Sequence, residues 1–532
     1  MPAIPNSLFS GIAPKIICMK NQKRTKTRLS IAIALGVSLG GCASSPNHAS
    51  RAVANSPDVS NWLTQRVPSA ETNMEKNLSP DLPGYKKGFV VAAPWVVPGI
   101  QNYRYHWVRD AALVMNTVVT RYISAEDQET KKASFSRLVD YINFSKQNQT
   151  APQPENAEKV GLGEVKFNPD GTRYTNWMRP QNDGPALRAI TMIRLSHQLI
   201  KEKQLKLVKH LFDGIGPGQN GIQAPGVIKA DLDYINAHWE DTSYEPWEEV
   251  MGHHFYTRLV QQKALIDGAW LAEQLGDEAD ANKYRHSVEQ LTPLIKSHWI
   301  GAGRTTPTGT VSTGQIWDTY DYVKGVNYKS SGLDVVEVLA ALHAHNELDK
   351  LDGDGEDRFF SPSDQIILKT AFEISRSFNS LFPLARNSSE TGLGVPIGRY
   401  PEDKYNGYDS TKLGNPWYLA TAAFAELYYR CAEEWQEDGK IEVTPLISEF
   451  LSTLTTETLK TGETISSNDP RFQTLISAIR SLGDSYLRRV EANEAADGHL
   501  TEEFSRDDGT PTGAQDLSWS YASILTAAQH RH

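Results

Sequence analysis

Two short stretches of the sequence carry carboxylates beside aromatic residues, and both are suited to acid–base chemistry. "YEPWEEV" (244–250) places Glu248 and Glu249 directly after a tryptophan, and "HLTEEFSRDDG" (499–509) contains Glu502. Neighbouring side chains diverge from the backbone, so the two adjacent glutamates can perform different tasks. Glycoside hydrolysis needs two carboxyl groups, one that protonates the leaving oxygen and one that activates water or attacks carbon. A helix start also explains an acidic pair, because acidic residues favour the positive end of the helix dipole.

Three further stretches share this mixture of aromatics, carboxylates, arginines and amides. They are "NYRYHWVRD" (102–110), "NWMRPQNDGPALR" (176–188) and the segment from "GRYPED" to "GNPW" (398–417). Charged and amide groups hydrogen-bond to sugar hydroxyls, while aromatic rings cover the apolar faces of sugar rings. Together the five stretches indicate a carbohydrate site, with Glu248 and Glu502 as its carboxyl pair.

The elements that must position these stretches are predicted to be helices. Apolar residues recur at helical spacing in about a dozen segments. These segments are 108–119, 133–147, 184–203, 225–239, 254–275, 280–296, 333–345, 363–381, 417–435, 441–455, 470–490 and 515–528. Asp183, which precedes Gly184 and Pro185, is predicted to cap one of them.

About twelve helices joined by long, aromatic-rich loops predict an all-α fold, an (α/α)6 barrel whose loops form the active site. A multi-domain helical protein or a solenoid is the alternative. No repeat of about 30–45 residues is visible, which disfavours the solenoid. No Ser/Thr- or Pro-rich linker interrupts residues 70–532, so one domain spanning 61–532 is predicted.

The N-terminal segment resembles an export signal. A basic stretch from Lys20 to Arg28 precedes an apolar run, and small residues lead to Cys42 in "SLGGCASS". This layout predicts a lipoprotein-type signal peptide over 1–41, lipidation of Cys42 and a tether over 42–60. An ordinary cleaved signal or a membrane anchor is the alternative. The predicted location is exported and membrane-anchored, periplasmic or at the cell surface, with the outer membrane favoured.

The charge of the chain bears on its partners. The net charge is −10, and residues 1–41 carry basic but no acidic side chains, so the mature chain is more acidic still. Such a chain repels phosphates, which disfavours nucleic acid as a partner and suits a neutral sugar. No cofactor is predicted, and the oligomeric state is left open.

The five stretches resemble those of the fungal-type glucoamylases of glycoside hydrolase family 15. The resemblance is ordered along the chain and covers roughly residues 85–532. "GLGEVKFNPDGTRYTNWMRPQNDGPALRA" (161–189) and "DLSWSYASILTA" (516–527) are especially similar to the family's sequences. The resemblance implies an (α/α)6 barrel that releases β-D-glucose from the non-reducing ends of starch-type oligosaccharides and dextrins, with inversion.

The resemblance also implies roles for individual residues. Glu248 corresponds to the family's general acid, Glu502 in "LTEEF" to its general base, and Glu249 to a substrate-binding residue. For an inverting enzyme the two carboxyl groups are expected to be about 6.5–9.5 Å apart, with room for a water. The remaining substrate-binding or cleft-supporting residues implied in this way are Tyr103, Trp107, Arg109, Asp110, Trp177, Asp183, Arg188, Trp247, Arg399, Trp417 and Trp519.

The sequence departs from the family's pattern at three positions and in one loop. Pro246 stands where leucine is usual, Glu503 where glutamine is common, and Phe504 where tyrosine is common beside the base. The loop "YNGYDSTKLGNPW" (405–417) is longer than in many relatives. These departures put the outer subsites, the chain-length preference and the protonation of the base in doubt.

Other readings remain beside this one. A related exo-glucosidase with a preference for α-1,6 glucans or trehalose fits the same motifs. A non-catalytic glycan-binding surface lipoprotein is disfavoured, because both Glu248 and Glu502 are present. No metal site is predicted. "DGDGED" (352–357) has no glycine at the sixth position of a calcium loop and no later glutamate at the proper spacing, and His253-His254 lacks the spacing of a zinc motif.

Overall fold

The structure is a computed structural model that describes residues 59–98, 101–351, 359–386 and 388–531. Helices make up most of it. The helices are α1 Val59–Glu75, α2 Val108–Ser124, α3 Gln128–Thr150, α4 Asp183–Lys201, α5 Leu205–Asp213, α6 Val227–His238, α7 Phe255–Gln274, α8 Glu278–Lys296, α9 Val336–Ala344, α10 Gln365–Leu381, α11 Ser388–Thr391, α12 Tyr418–Asp438, α13 Ser448–Leu454, α14 Pro470–Asn493 and α15 Ser518–Gln529, with 3-10 turns at Glu347–Lys350 and Pro383–Ala385.

Alternate helices form a closed inner ring. Helix α2 packs against α4, α4 against α7, α7 against α9, α9 against α12, α12 against α15, and α15 returns to α2. The helices between them lie outside: α3 packs on α2, α6 on α4 and α7, α8 on α7, α10 on α9, α14 on α12 and α1 on α15. Six inner and six outer helices confirm the predicted (α/α)6 barrel.

Burial distinguishes the two layers. Inner helix α12 is buried around almost its whole circumference, as expected for a helix enclosed by neighbours on all sides. Outer helices keep polar residues on their solvent side, and four of the six begin at a side-chain cap. Asp127, Asp277, Asp364 and Asp469 accept a hydrogen bond from a backbone N–H of α3, α8, α10 and α14, respectively.

The strands are short and lie in the loops. They are β1 Val96–Val97, β2 Gln101–Asn102, β3 His106–Trp107, β4 Lys166–Phe167, β5 Ser243–Tyr244, β6 Val250–His254, β7 Trp299–Ile300, β8 Gln315–Ile316, β9 Thr319–Gly325, β10 Lys440–Glu442, β11 Thr464–Ser466, β12 Thr501–Phe504 and β13 Pro511–Gln515. All pairings are antiparallel: β1 with β2, β3 with β4, β5 with β6 and β6 with β9, β7 with β8, β10 with β11, and β12 with β13. These pairs fix the loops that lead into the inner helices.

Several local predictions were wrong. Asp183 is not a cap: it lies in the first turn of α4, and its carboxylate accepts a hydrogen bond from Arg109 instead. The segment 441–455 contains strand residues and only a short helix, α13. Helices α1 and α5 were not predicted, and the last two residues of the predicted tether, 59 and 60, belong to α1.

Some predicted features lie outside the described residues. These are the signal peptide, Cys42, most of the tether and the acidic stretch 352–357. The domain limits therefore stay a prediction. None of the helices that the structure describes is long and apolar enough to cross a membrane.

Candidate active site

A cavity of about 660 Å³ opens where the inner helices α2, α12 and α15 begin. Trp107 directly precedes α2, Trp417 directly precedes α12, and Trp519 lies in the first turn of α15. The predicted site residues that line it are Tyr103, Trp107, Arg109, Asp110, Trp177, Trp247, Glu248, Glu249, Arg399, Trp417, Glu502 and Trp519. The fold thus gathers stretches from across the sequence into one cleft.

The Glu248 carboxyl is held by three hydrogen-bond donors from two other segments, 102–110 and 176–188. The indole N–H of Trp107 donates to Oε1 over 2.8 Å, the Gln181 amide donates to the same atom over 3.1 Å, and the Trp177 indole N–H donates to Oε2. The Arg109 guanidinium lies 3.6 Å from Oε1. These contacts fix the direction in which the carboxyl faces the cavity.

The loop that carries Glu248 is tightly turned. Glu248 has φ of +67°, a left-handed conformation that non-glycine residues rarely adopt, and its N–H donates to the carbonyl of Glu245. The fully buried Glu245 carboxylate in turn accepts a backbone N–H from Val250 over 2.6 Å and contacts the Lys329 ammonium at 3.3 Å. Strain at one residue is maintained here by a surrounding network, as is common at functional sites.

Glu249 points into a different environment. Its Oε1 accepts from the Arg399 guanidinium over 3.0 Å and its Oε2 from the Tyr400 hydroxyl over 2.6 Å. Burial opposes ionisation, but the positive charges of Arg399 and Lys329 prevail and hold the pKa of Glu249 below its ordinary value. Glu249 is therefore an ionised anchor for Arg399, which also pairs with Asp403 at 2.5 Å.

Glu502 lies on β12 where the pairing with β13 shifts register, a bulge that turns its side chain into the cavity. Its Oε1 accepts from the Tyr103 hydroxyl over 2.8 Å and its Oε2 from the Tyr405 hydroxyl over 3.0 Å. Burial raises the pKa of Glu502 to about 7, although both tyrosine hydrogen bonds favour the ionised form. The carboxyl group faces the cavity with neutral donors and no ion pair among the described residues.

Arg109 and Asp110 lie together at the start of α2. Arg109 donates to Gln181 over 2.9 Å and to Asp183 over 3.0 Å, and its Nε lies 3.7 Å from Asp110. Burial raises the pKa of Asp110 to about 6, with the charge of Arg109 opposing the shift. A carboxylate and a guanidinium side by side can bind adjacent hydroxyls of one sugar.

Three buried tryptophans form the inner wall of the cavity. The Trp247 ring packs against Trp417 at a centroid distance of 5.4 Å and stacks near Trp519 at 6.4 Å. The Trp247 indole N–H donates to Asp334 over 2.8 Å, which fixes the ring. The faces of these aromatic rings can pack against the apolar face of a sugar ring.

Two predicted site residues do not reach the cavity. Asp183 is fully buried behind Arg109. Arg188 forms a bidentate ion pair with Asp231, which links α4 to α6 inside the barrel wall. The resemblance implied a substrate-binding or cleft-supporting role for both: Asp183 contacts Arg109, as a supporting residue would, whereas Arg188 joins two helices.

Other residues in or beside the cavity were not selected by sequence reasoning. Tyr405 contacts Glu502, Gln181 contacts Glu248, and Lys166 lies among aromatic rings. Gln181 and Tyr405 lay in the quoted motifs but had no distinguishing signal there. Lys166, between Val165 and Phe167 in a strand, was hidden because an isolated lysine in an apolar stretch predicts nothing specific.

The three residues that depart from the family pattern lie close to Glu502 or Glu248 in the sequence. Glu503 is fully buried. Within the part of the chain that the structure describes, its Oε2 accepts a hydrogen bond from the Asn415 amide over 3.0 Å, and its Oε1 has no hydrogen-bond partner. Burial and the neighbouring Glu502 and Asp403 carboxyls raise its pKa well above the ordinary value. Phe504 is buried against Tyr418, and Pro246 lines the cavity.

No group of three or more potential metal ligands occurs in the part of the chain that the structure describes. His253 instead contacts Asp321 and the Glu240 carbonyl, and His254 contacts the Ser243 carbonyl and the Thr319 hydroxyl. Cys431 is buried in α12.

Comparison with known proteins identifies similar sequences and structures. The model of the glycosyl hydrolases family 15 matches residues 76–529. "Glucoamylase" from Blastobotrys adeninivorans is 36% identical over 487 residues, which cover 89% of this chain and 72% of that protein. "Glucoamylase 1" from Rhizopus oryzae is 35% identical over a region that covers 88% of this chain and 70% of that protein. Among solved structures, the glucoamylase of Hormoconis resinae superposes with a TM-score of 0.75 at 30% identity, covering 89% of this chain and 74% of that one. The glucoamylase of Saccharomycopsis fibuligera also gives 0.75, at 28% identity, covering 89% and 95%.

Proposed function

Because the chain belongs to glycosyl hydrolases family 15, we propose that it is an exo-acting glucan 1,4-α-glucosidase that releases β-D-glucose with inversion. One observation carries the proposal. A single cavity holds two carboxyl groups, Glu248 and Glu502, and each is oriented by its own set of donors. Relatives named glucoamylase support the substrate class.

In this proposal Glu248 is the general acid. Its carboxyl proton passes to the glycosidic oxygen as the bond to the anomeric carbon breaks, which leaves Glu248 ionised. The indole N–H groups of Trp107 and Trp177 and the charge of Arg109 then stabilise the carboxylate that forms. The released sugar leaves as a neutral alcohol.

Glu502 is the general base. It removes a proton from a water whose oxygen attacks the anomeric carbon on the face opposite the leaving group, so the product is the β-anomer. Tyr103 and Tyr405 occupy one position on each carboxylate oxygen and leave the remaining lone pairs for the water. Because Glu502 must be ionised, activity should fall as the pH drops through about 7, the pKa of this buried group.

The charged groups that line the cavity favour binding of the end of a glucan chain over binding of an internal sugar. Asp110, Arg109 and Arg399 line the cavity and offer the donors and acceptors that a terminal sugar's free hydroxyls need. A residue within a glucan chain lacks one of these hydroxyls, because that oxygen carries the next sugar. Release of single glucose units from non-reducing ends follows.

Time-resolved proton NMR of the mature protein with maltotetraose tests the proposal. Early β-glucose as the sole released sugar is expected. Early α-glucose would contradict inversion, and internal fragments would contradict exo-attack. If maltotetraose is not consumed, isomaltose and trehalose distinguish another linkage preference from a non-catalytic glycan-binding protein.

We also propose that the chain is exported and anchored by a lipid on Cys42. The support is the sequence alone: a basic stretch, an apolar run and "LGGC" before a Ser/Ala-rich segment. Expression in a bacterium with a radiolabelled fatty acid should label the full-length protein and not the Cys42→Ser variant. Equal labelling of both proteins would reject Cys42 as the attachment site.

A further inference from the structure

Lys166 lies inside the proposed active site without a role in the chemistry above. It belongs to β4, directly opposite Trp107 in the antiparallel pair with β3, and its side chain is almost fully buried. Burying a lysine is costly unless its charge is compensated. Something in its surroundings must therefore account for its position.

Aromatic rings surround the Lys166 ammonium. Its Nζ lies 3.1 Å from the ring centroid of Trp177, 4.1 Å from that of Trp107, 4.7 Å from that of Tyr105 and 4.8 Å from that of Tyr174. Ring faces attract a cation, most strongly those of tryptophan and in a desolvated site. No carboxylate among the described residues forms an ion pair with this lysine.

Burial lowers the pKa of Lys166, while the negative charges of Glu248 and Asp110 oppose the shift and favour the ammonium form, as do the ring faces. The ammonium is thus coupled electrostatically to the proposed acid as well as to the rings.

The two nearest rings are the ones that hold Glu248. Trp107 donates its indole N–H to Oε1 of Glu248, and Trp177 donates its own to Oε2. Trp107 is buried, but 38% of Trp177 is exposed, so few other contacts restrain it. The ammonium lies between the two rings, whose planes are 80° apart. A cation on an indole face also withdraws electron density from the ring and strengthens its N–H as a donor.

We propose that Lys166 is a positioning residue that orients the Glu248 carboxyl through the indole rings of Trp107 and Trp177. It holds Trp177 against the mouth of the cavity and keeps both indole N–H groups directed at Glu248. This inference rests on the proposed function, because it assigns a supporting residue to that reaction.

Substitution of the lysine tests the inference. Lys166→Met, which keeps the chain length and removes the charge, should lower kcat on maltotetraose about tenfold to a hundredfold, the size expected when a catalytic group is misplaced by about 1 Å. KM should change less, because the sugar contacts of Asp110 and Arg399 remain. Lys166→Arg keeps a cation for the rings and should recover most of the loss. Lys296→Met is the matched control, since Lys296 lies over Phe359 at 4.4 Å on the exterior and should behave as wild type.

A double-mutant cycle separates positioning from general damage. Trp177→Phe keeps a ring face but removes one donor to Glu248. If Lys166 acts through this ring, Lys166→Met should cost at least about threefold less in the Trp177→Phe background than in the wild type. Additive losses, or equal losses in Lys166→Met and Lys166→Arg, would overturn the inference.

A spectroscopic readout does not depend on turnover. In the Glu502→Gln background, which removes another group with a strongly shifted pKa beside these tryptophans, tryptophan emission should titrate as Lys166 loses its proton, and adding Lys166→Met should remove this transition. Its presence in both proteins would overturn the inference. If the wild type hydrolyses no glucoside, the proposed function fails, but this titration still tests whether the Lys166 ammonium contacts the tryptophan rings. If the wild type is active and Lys166→Met has equal activity, only the role of Lys166 fails.

Discussion

Glu248 and Glu249 are adjacent in the sequence, yet the structure gives them unrelated partners. The left-handed backbone at Glu248 sends its carboxyl group to two indoles and an amide, while Glu249 is ion-paired with Arg399. The sequence predicted that the two adjacent side chains diverge and can perform different tasks. The partners could not be predicted from spacing, because these side chains come from positions 67 to 151 residues away.

Replacing either proposed catalytic carboxyl by an amide should remove the chemistry and keep the cavity. Glu248→Gln and Glu502→Gln should each lower kcat by at least about a hundredfold, since acid–base catalysis contributes about 10² to 10⁴ per group. KM should change little because the sugar contacts remain. Initial rates on maltotetraose measure both constants, and near-normal turnover in either variant would reject that residue's role.

Glu503 should limit stability at neutral pH. Its pKa is raised well above the ordinary 4.5, so the folded protein keeps this carboxyl neutral while the unfolded chain ionises it. A carboxyl group whose pKa is higher in the folded than in the unfolded protein contributes stability that is fully present below the unfolded-state pKa. This stability is lost as the pH rises through the folded-state pKa. Removing the group by Glu503→Gln should therefore raise stability relative to wild type by up to about 1.4 kcal/mol per pH unit above pH 4.5.

Thermal unfolding from pH 4 to pH 8 measures this difference. The amide can still accept the hydrogen bond from Asn415, so turnover of Glu503→Gln should stay within a few-fold of wild type. A Tm difference that does not grow with pH would show that Glu503 is ionised in the folded state.

Helices α4 and α6 are joined by a buried ion pair whose loss should affect the barrel rather than the chemistry. Arg188→Met leaves Asp231 charged and unpaired inside the wall, which should cost about 3–5 kcal/mol. Urea unfolding measures the loss, while kcat and KM at 25 °C should remain near wild type. The double variant Arg188→Met, Asp231→Leu should recover part of the stability. A raised KM in a folded Arg188→Met protein would instead assign Arg188 a role in shaping the substrate cleft.

Helical periodicity predicted most of the barrel, because inner and outer helices both repeat apolar residues at helical spacing. It missed α1, whose polar residues and internal Pro68 obscure the repeat, and the short α5. The sequence also predicted Asp183 to cap α4, whereas its carboxylate accepts a hydrogen bond from Arg109 instead. Residue types alone cannot reveal such competition between a local hydrogen bond and a distant cation.

The whole barrel depends on its last helix. Helix α15 contacts α2, α12 and α1, and so closes the inner ring. Deleting residues 518–531 should leave a chain without a cooperative thermal transition and with rapid digestion by trypsin. Ile524→Val, a conservative change at a fully buried position of α15, is the control and should cost only about 0.5–1.5 kcal/mol. A protease-resistant truncated chain would show that the ring is stable while open.

Ring closure between α2 and α15 also determines what happens while the chain is being made. The inner helices expose apolar surface until α15 has left the ribosome, and this occurs some 400 residues after α2 emerges. We therefore expect the nascent chain to be prone to aggregation and to need chaperones during translation, even though the finished barrel buries this surface. Yield in a heterologous host should follow chaperone supply and translation rate more closely than the melting temperature of the purified protein.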